Sequence, residues 1–140
     1  MGEAVYKIEK ERYGFKLIFG GFVNAQEMHR WIKKSEKKLS SMEKEFVVFV
    51  DMRTLKLLSE DSLKIMKKGQ ILYRLKGMER SVVILDDIDI KMQFEKIAKK
   101  SNIFQWERYI DISKEPDWEE KGLAWIIKGI EPDINITKRD

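Results

Sequence analysis

The sequence predicts an α/β domain: a single mixed, mostly parallel five-stranded sheet with four helices, in the order β-β-α-β-α-β-α-β-α. Three observations predict it. Two near-continuous apolar runs, residues 46–50 and 81–85, lack alternation, as strands covered on both faces do. Amphipathic segments of helix length follow each run, and strands alternating with helices imply parallel pairing through right-handed crossovers. At the start of the chain, two alternating segments, 6–10 and 15–19, flank Tyr13-Gly14, the turn of an antiparallel hairpin that makes the sheet mixed.

The elements follow in order. Gly20-Gly21 ends the second strand, and Asn24 with Glu27 forms a capping-box pattern for a first helix running to about Ser41. Ala25, Met28, Trp31, Ile32, Leu39 and Met42 fall near one face of that helix. Phe46-Val47-Val48-Phe49-Val50, β-branched and aromatic, is the central strand. Residues 51–58 are expected to form a loop, after which Ser59 caps a helix through Lys76 that stops at Gly77. The strand at 81–85 leads to a helix capped within 86–89, with Ile90, Phe94, Ile97 and Ala98 facing the sheet. A shorter strand at 108–112 precedes Pro116-Asp117, which suits a helix start. Trp118, Gly122 and Trp125 then lie at i, i+4 and i+7, and Gly129 with Pro132 marks the stop. Residues 1–133 read as one domain and 134–140 as a flexible tail.

Composition narrows the function classes. The 140-residue chain is long enough to bury a core, and 43% hydrophobic with 37% charged residues describes a folded, densely solvated molecule. Lys and Arg number 28 against 24 Asp and Glu, interspersed, so the net +4 forms no polybasic tract and does not point to nucleic acid. The absence of Cys removes disulfides, thiolate metal sites and cysteine nucleophiles. The longest apolar run, 46–50, is far short of the roughly 20 residues that span a bilayer, and no apolar signal segment opens the chain, so a cytoplasmic location is expected.

Phe46-Val-Val-Phe-Val-Asp-Met-Arg-Thr-Leu, an apolar strand ending in Asp plus a short loop, is followed by Ser59-Glu-Asp-Ser-Leu opening the next helix. With the element order over roughly residues 4–132, this stretch resembles the STAS fold, especially its SpoIIAA-like branch of small stand-alone proteins. The resemblance implies a non-enzymatic interaction module of the anti-sigma-factor-antagonist type. In that family a serine or threonine in the first turn of this helix is phosphorylated by a partner kinase. Counting from Asp51 places the acceptor on Glu60 or Asp61, with Ser62 as the following small residue, so the phosphorylatable serine is lacking here. A carboxylate at that turn already supplies negative charge beside the helix's positive end.

The expected protein-binding surface is therefore Arg53, Lys56, Ser59, Glu60, Asp61 and Ser62, with Ser59 and Ser62 read first as capping residues. The alternative function is a carrier of a small apolar, lipid-like ligand between sheet and helices, lined by Met28, Trp31, Met66, Tyr73, Trp118 and Trp125. Asp51, Asp86 and Asp87 at strand ends suit turn chemistry better than a metal site, and no Gly-rich phosphate loop accompanies them. No cofactor is expected. His29, the sole histidine, has no nucleophile at a diagnostic spacing. The pairs Lys33-Lys34, Lys37-Lys38, Lys67-Lys68 and Lys99-Lys100 read as solvated helix faces. Exposed strand edges and an aromatic C-terminal helix permit a homodimer.

Overall fold

The computed structural model describes residues 4–132. Its elements are β1 (Val5–Glu11), β2 (Gly14–Gly21), α1 (Ala25–Leu39), β3 (Phe46–Leu55), α2 (Glu60–Leu75), β4 (Met78–Leu85), α3 (Ile88–Lys100), a 3-10 turn (Phe104–Trp106), β5 (Glu107–Asp111) and α4 (Trp118–Lys128). The strands lie in the sheet in sequence order; β1 and β2 pair antiparallel and the other neighbours pair parallel. The element order and the mixed five-stranded sheet are those the sequence predicts.

Because the sheet advances one strand at a time in one direction, its right-handed crossovers place α1, α2 and α3 on the same face. The main core forms there: Met28, Trp31 and Leu39 of α1, Met66 and Tyr73 of α2, and Ile90 and Phe94 of α3 pack on Val48, Val50 and Met52 of β3. Helix α4 follows the last strand and closes no crossover. It covers the opposite face, where Trp125 and Ile126 pack on Val47, Phe49, Val82, Ile84 and Ile110. Over residues 46–53 of β3, strand alternation assigns the sides, even-numbered residues to the three-helix face and odd-numbered ones to the α4 face; past the register irregularity against β2, Leu55 turns to the three-helix core.

Local chemistry accounts for the boundaries. Asn24 Oδ1 accepts from Glu27 N and Glu27 Oε1 accepts from Asn24 N, both at 2.9 Å, completing the capping box of α1. Ser59 Oγ accepts from Ser62 N at 3.1 Å, and Asp87 Oδ1 from Asp89 N at 2.8 Å, so the caps expected at Ser59 and within 86–89 are formed, whereas Asp117 stands at the start of α4 without a side-chain capping bond. At the hairpin, Gly14 has φ +149°, and a Cβ there would stand 2.1 Å from Val47 O, so only glycine lets β2 approach β3. Gly69 plays a packing role: a Cβ would lie 2.1 Å from the Trp31 ring, and its absence lets α2 settle onto that indole.

The largest departure from the expected boundaries is at the end of β3; β4 also starts earlier, at Met78, and β5 at Glu107. Residues 51–55 continue β3, with Asp51 paired to Ile18 on one side and Ile84 on the other, and the connection shrinks to residues 56–59. The reason is local: Arg53 lies two residues on, hence on the same side of the strand, and neutralises Asp51 there.

Candidate functional site

Parallel strands deliver their connections to one end of the sheet, and in α/β folds that carboxyl end is where ligands are usually met. The turns after β2, β3 and β4 open there. Lys56 N donates to Gly21 O at 3.0 Å, which sets the turn carrying Phe22 beside the turn carrying Leu57. Phe22 and Leu57 are 58% and 52% exposed, and Ile88, opening α3 at the same end, is 60% exposed. Exposed apolar side chains gathered on neighbouring turns mark an interaction surface where they form one patch, as singly scattered ones do not.

The scaffold beneath them is held by polar contacts. Gln93 of α3 grips the peptide groups of Leu58, its Nε2 donating to Leu58 O at 2.9 Å and its Oε1 accepting from Leu58 N at 3.1 Å. Leu58 is thereby buried while its neighbour Leu57 points outward. Ser59 Oγ donates to Ser62 Oγ at 3.1 Å, and Ser62 Oγ donates to Val23 O at 3.0 Å, joining the first turn of α2 to the β2–α1 connection. Ser62 is completely buried, whereas Lys56, Ser59, Glu60 and Asp61 are exposed. The two carboxylates stand at the positive end of the α2 dipole.

Arg53 does not join this group. Instead of occupying a loop, it lies on β3 on the α4 side, its Nε and Nη2 donating to the two Asp51 carboxylate oxygens at 3.0 and 2.9 Å. Its guanidinium carbon sits 4.6 Å from the Trp118 ring centroid. Burial acts to raise the Asp51 carboxyl, but the hydrogen bonds from Arg53 prevail and hold it below its ordinary range. Asp51 is thus committed to Arg53 while Asp87 caps α3, and among the described residues no group of three or more carboxylates or histidines can hold a metal ion.

The six residues expected to line one apolar pocket are divided by the sheet. Met28, Trp31, Met66 and Tyr73 belong to the three-helix face, and Trp118 and Trp125 to the α4 face. Periodicity identifies a helix's apolar stripe but not the side of the sheet it covers. On the three-helix face a cavity of about 30 Å³ remains, lined by Trp31, Met66, Gln70, Tyr73, Phe94 and Glu107 among others. That space accommodates about two waters and no lipid chain.

A polar cluster that sequence reasoning missed adjoins the cavity. Glu107 on β5 faces Ser81 on β4 in the parallel register; Ser81 Oγ donates to Glu107 Oε2 at 2.7 Å, and Tyr109 Oη donates to Oε1 at 2.5 Å. Burial pushes the Glu107 carboxyl up to about 7 against the pull of those two donors, and burial followed by Glu107 itself pushes the Tyr109 hydroxyl up. Nearby, Tyr73 Oη and Ser35 Oγ lie 2.7 Å apart, and Ser101 Oγ donates to Gln70 Oε1 at 2.9 Å. The visible signal was Glu107 and Tyr109 at i and i+2, one face of a strand, but the expected strand began one residue too late to contain the pair.

No family model matches the chain, and no curated protein matches it. Among solved structures it is similar to an uncharacterized protein of the DUF3478 family from Shewanella loihica PV-4, described as having a SpoIIAA-like fold. The TM-score is 0.58 at 17% sequence identity, over 88% of this chain and 93% of that one. The fold is SpoIIAA-like. At this identity the likeness establishes the fold alone. In this SpoIIAA-like chain, the two carboxylates Glu60 and Asp61 occupy the opening turn of α2, and the hydroxyl of Ser62 is spent inside. Among the described residues, no helix is long and apolar enough to cross a membrane.

Proposed function

We propose that this SpoIIAA-like domain is a non-enzymatic protein-interaction module, acting in the cytoplasm, whose docking face is the carboxyl end of the sheet. The observation that carries it is the pairing of outward-facing Phe22 and Leu57 on adjacent turns, flanked by Lys56, Glu60 and Asp61. An apolar centre with a charged rim is the anatomy of a protein-binding patch. Glu60 and Asp61 supply permanently the negative charge that phosphorylation would add at this turn, so the face is set to bind without a kinase.

The rigid support favours the same reading. Leu58, Ser59 and Ser62 are each fixed by two or more hydrogen bonds, so the exposed residues between them are presented without a large ordering cost on binding. Affinity capture from cells, comparing the wild type with a Phe22→Ser, Leu57→Ser variant and with Glu60→Lys, tests it. The wild type should enrich a protein that both variants lose by roughly tenfold or more, as truncation at the centre of an interface does. Equal recovery by all three baits would refute the assignment of the face. The apolar-carrier reading finds less support, because the cavity is of water size and two of the six residues expected to line it lie across the sheet.

A further inference from the structure

Lys67 and Lys100, each one member of a lysine pair that looks like a solvated face in the sequence, are brought to opposite walls of one groove by the fold, joined there by Lys64 and Lys96. A groove of about 510 Å³ runs between α2 and α3, with Lys64 and Lys67 on one wall and Lys96 and Lys100 on the other. Its floor holds Leu63 and Ile97, and Glu60 stands at one mouth as the one acid among its described lining residues. None of the four lysines has an ion-pair partner among the described residues. We infer that this groove is a second docking surface, adjoining the face proposed above and sharing Glu60 with it, and that its occupant is an acidic amphipathic helix of a partner protein.

The spacing and the chemistry support a helix. Lys64 and Lys67 are three residues apart and Lys96 and Lys100 four, so each row repeats at roughly 4.5–6 Å along its helix axis. Carboxylates at i, i+3 and i+4 on an incoming helix repeat at the same interval, and they would flank an apolar stripe that enters the groove. A bilayer is a poorer fit, because Ile97 is buried and Leu63 half-buried at the floor, where only an inserted side chain reaches. Nucleic acid is poorer still, because the groove has no aromatic side chain for base stacking among its described lining residues.

The test uses the full chain and a synthetic 18-residue helix carrying a leucine stripe flanked by glutamates. Its controls are the same peptide with lysines replacing the glutamates, and vesicles of equal phosphatidylglycerol and phosphatidylcholine. Amide NMR shifts should move in α2 and α3 with the acidic peptide only, and affinity should fall about fivefold or more between 50 and 300 mM salt. Lys64→Glu with Lys96→Glu should weaken binding about tenfold or more, while Phe22→Ser with Leu57→Ser should leave it unchanged, so this surface and the carboxyl-end face stand or fall separately. Lys64→Gln with Lys96→Gln gives the same direction without charge reversal should the reversed variant misfold. The inference is overturned if the acidic peptide moves no α2 or α3 amides, if the basic peptide binds equally, if the substitutions leave affinity intact, or if vesicles bind where the peptide does not.

Discussion

Replacing Glu107 with glutamine should flatten the dependence of stability on pH and make the protein more stable at pH 8. In the folded chain this carboxyl is fully enclosed, with Ser81 and Tyr109 its donors among the described residues, and burial raises it from 4.5 to about 7. Glu95 and Arg108 bear on the neighbouring Tyr109 from α3 and β5, with opposing signs. Between those two values the folded state keeps a proton that the unfolded chain releases, so stability falls as pH rises through about 7. The shift corresponds to about 3 kcal/mol, most of it expressed between pH 5 and 8.

The protonated form has somewhere to place its hydrogen. Glu107 can then donate to Tyr109 Oη, and Tyr109 donates onward to Phe94 O, 3.3 Å away. A glutamine amide reproduces that protonated pattern at every pH. Urea unfolding of both proteins at pH 5 and pH 8 gives the comparison, with the midpoint read at constant slope. The wild type should lose roughly 2–3 kcal/mol more than Glu107→Gln over that interval. Parallel pH profiles, or a glutamine variant less stable than the wild type at pH 8, would refute the reasoning.

Substitutions at four further positions probe the frame of the site. Gly69→Ala forces a Cβ against the Trp31 ring at 2.1 Å and should cost about 1–3 kcal/mol by urea unfolding, an unchanged midpoint contradicting the packing described. Asn24→Ala removes the acceptor of the α1 capping box and should cost about 1 kcal/mol in the same assay, with Asn24→Asp recovering most of it. Ser62→Asp puts a carboxylate into a closed site and should destabilise by at least about 2 kcal/mol, whereas Ser59→Asp keeps a competent cap and should stay within about 1 kcal/mol of wild type; equal effects would contradict their assigned burial.

The fold was legible because each element carried its own period and its own punctuation, from the Asn24 box to Gly129. The continuation of β3 was not, since Asp51-Met52-Arg53-Thr54 has the polarity of a loop until Asp51 and Arg53 are seen to neutralise each other on one side of a strand. Grouping Trp118 and Trp125 with Trp31 failed because helical spacing says nothing about which face of a sheet a helix covers. Glu107 escaped notice for a related reason: its partner Ser81 lies on another strand, and only the β4–β5 register brings them together. The same holds for the lysine groove. Glu60, Asp61, Ser59 and Lys56 were readable from the cap and the turn alone, but the exposure of Phe22 and Leu57 beside them depends on Lys56 N reaching Gly21 O.

The central claim, that the carboxyl end of the sheet meets a protein, is tested most directly by placing a photo-crosslinking amino acid at Leu57 and, in a second protein, at Lys44, an exposed position just before β3 at the opposite end. Irradiation in cells should give a discrete higher-mass adduct containing a second protein from position 57 and none from position 44. The same adducts from both positions, or from Lys44 alone, would contradict it.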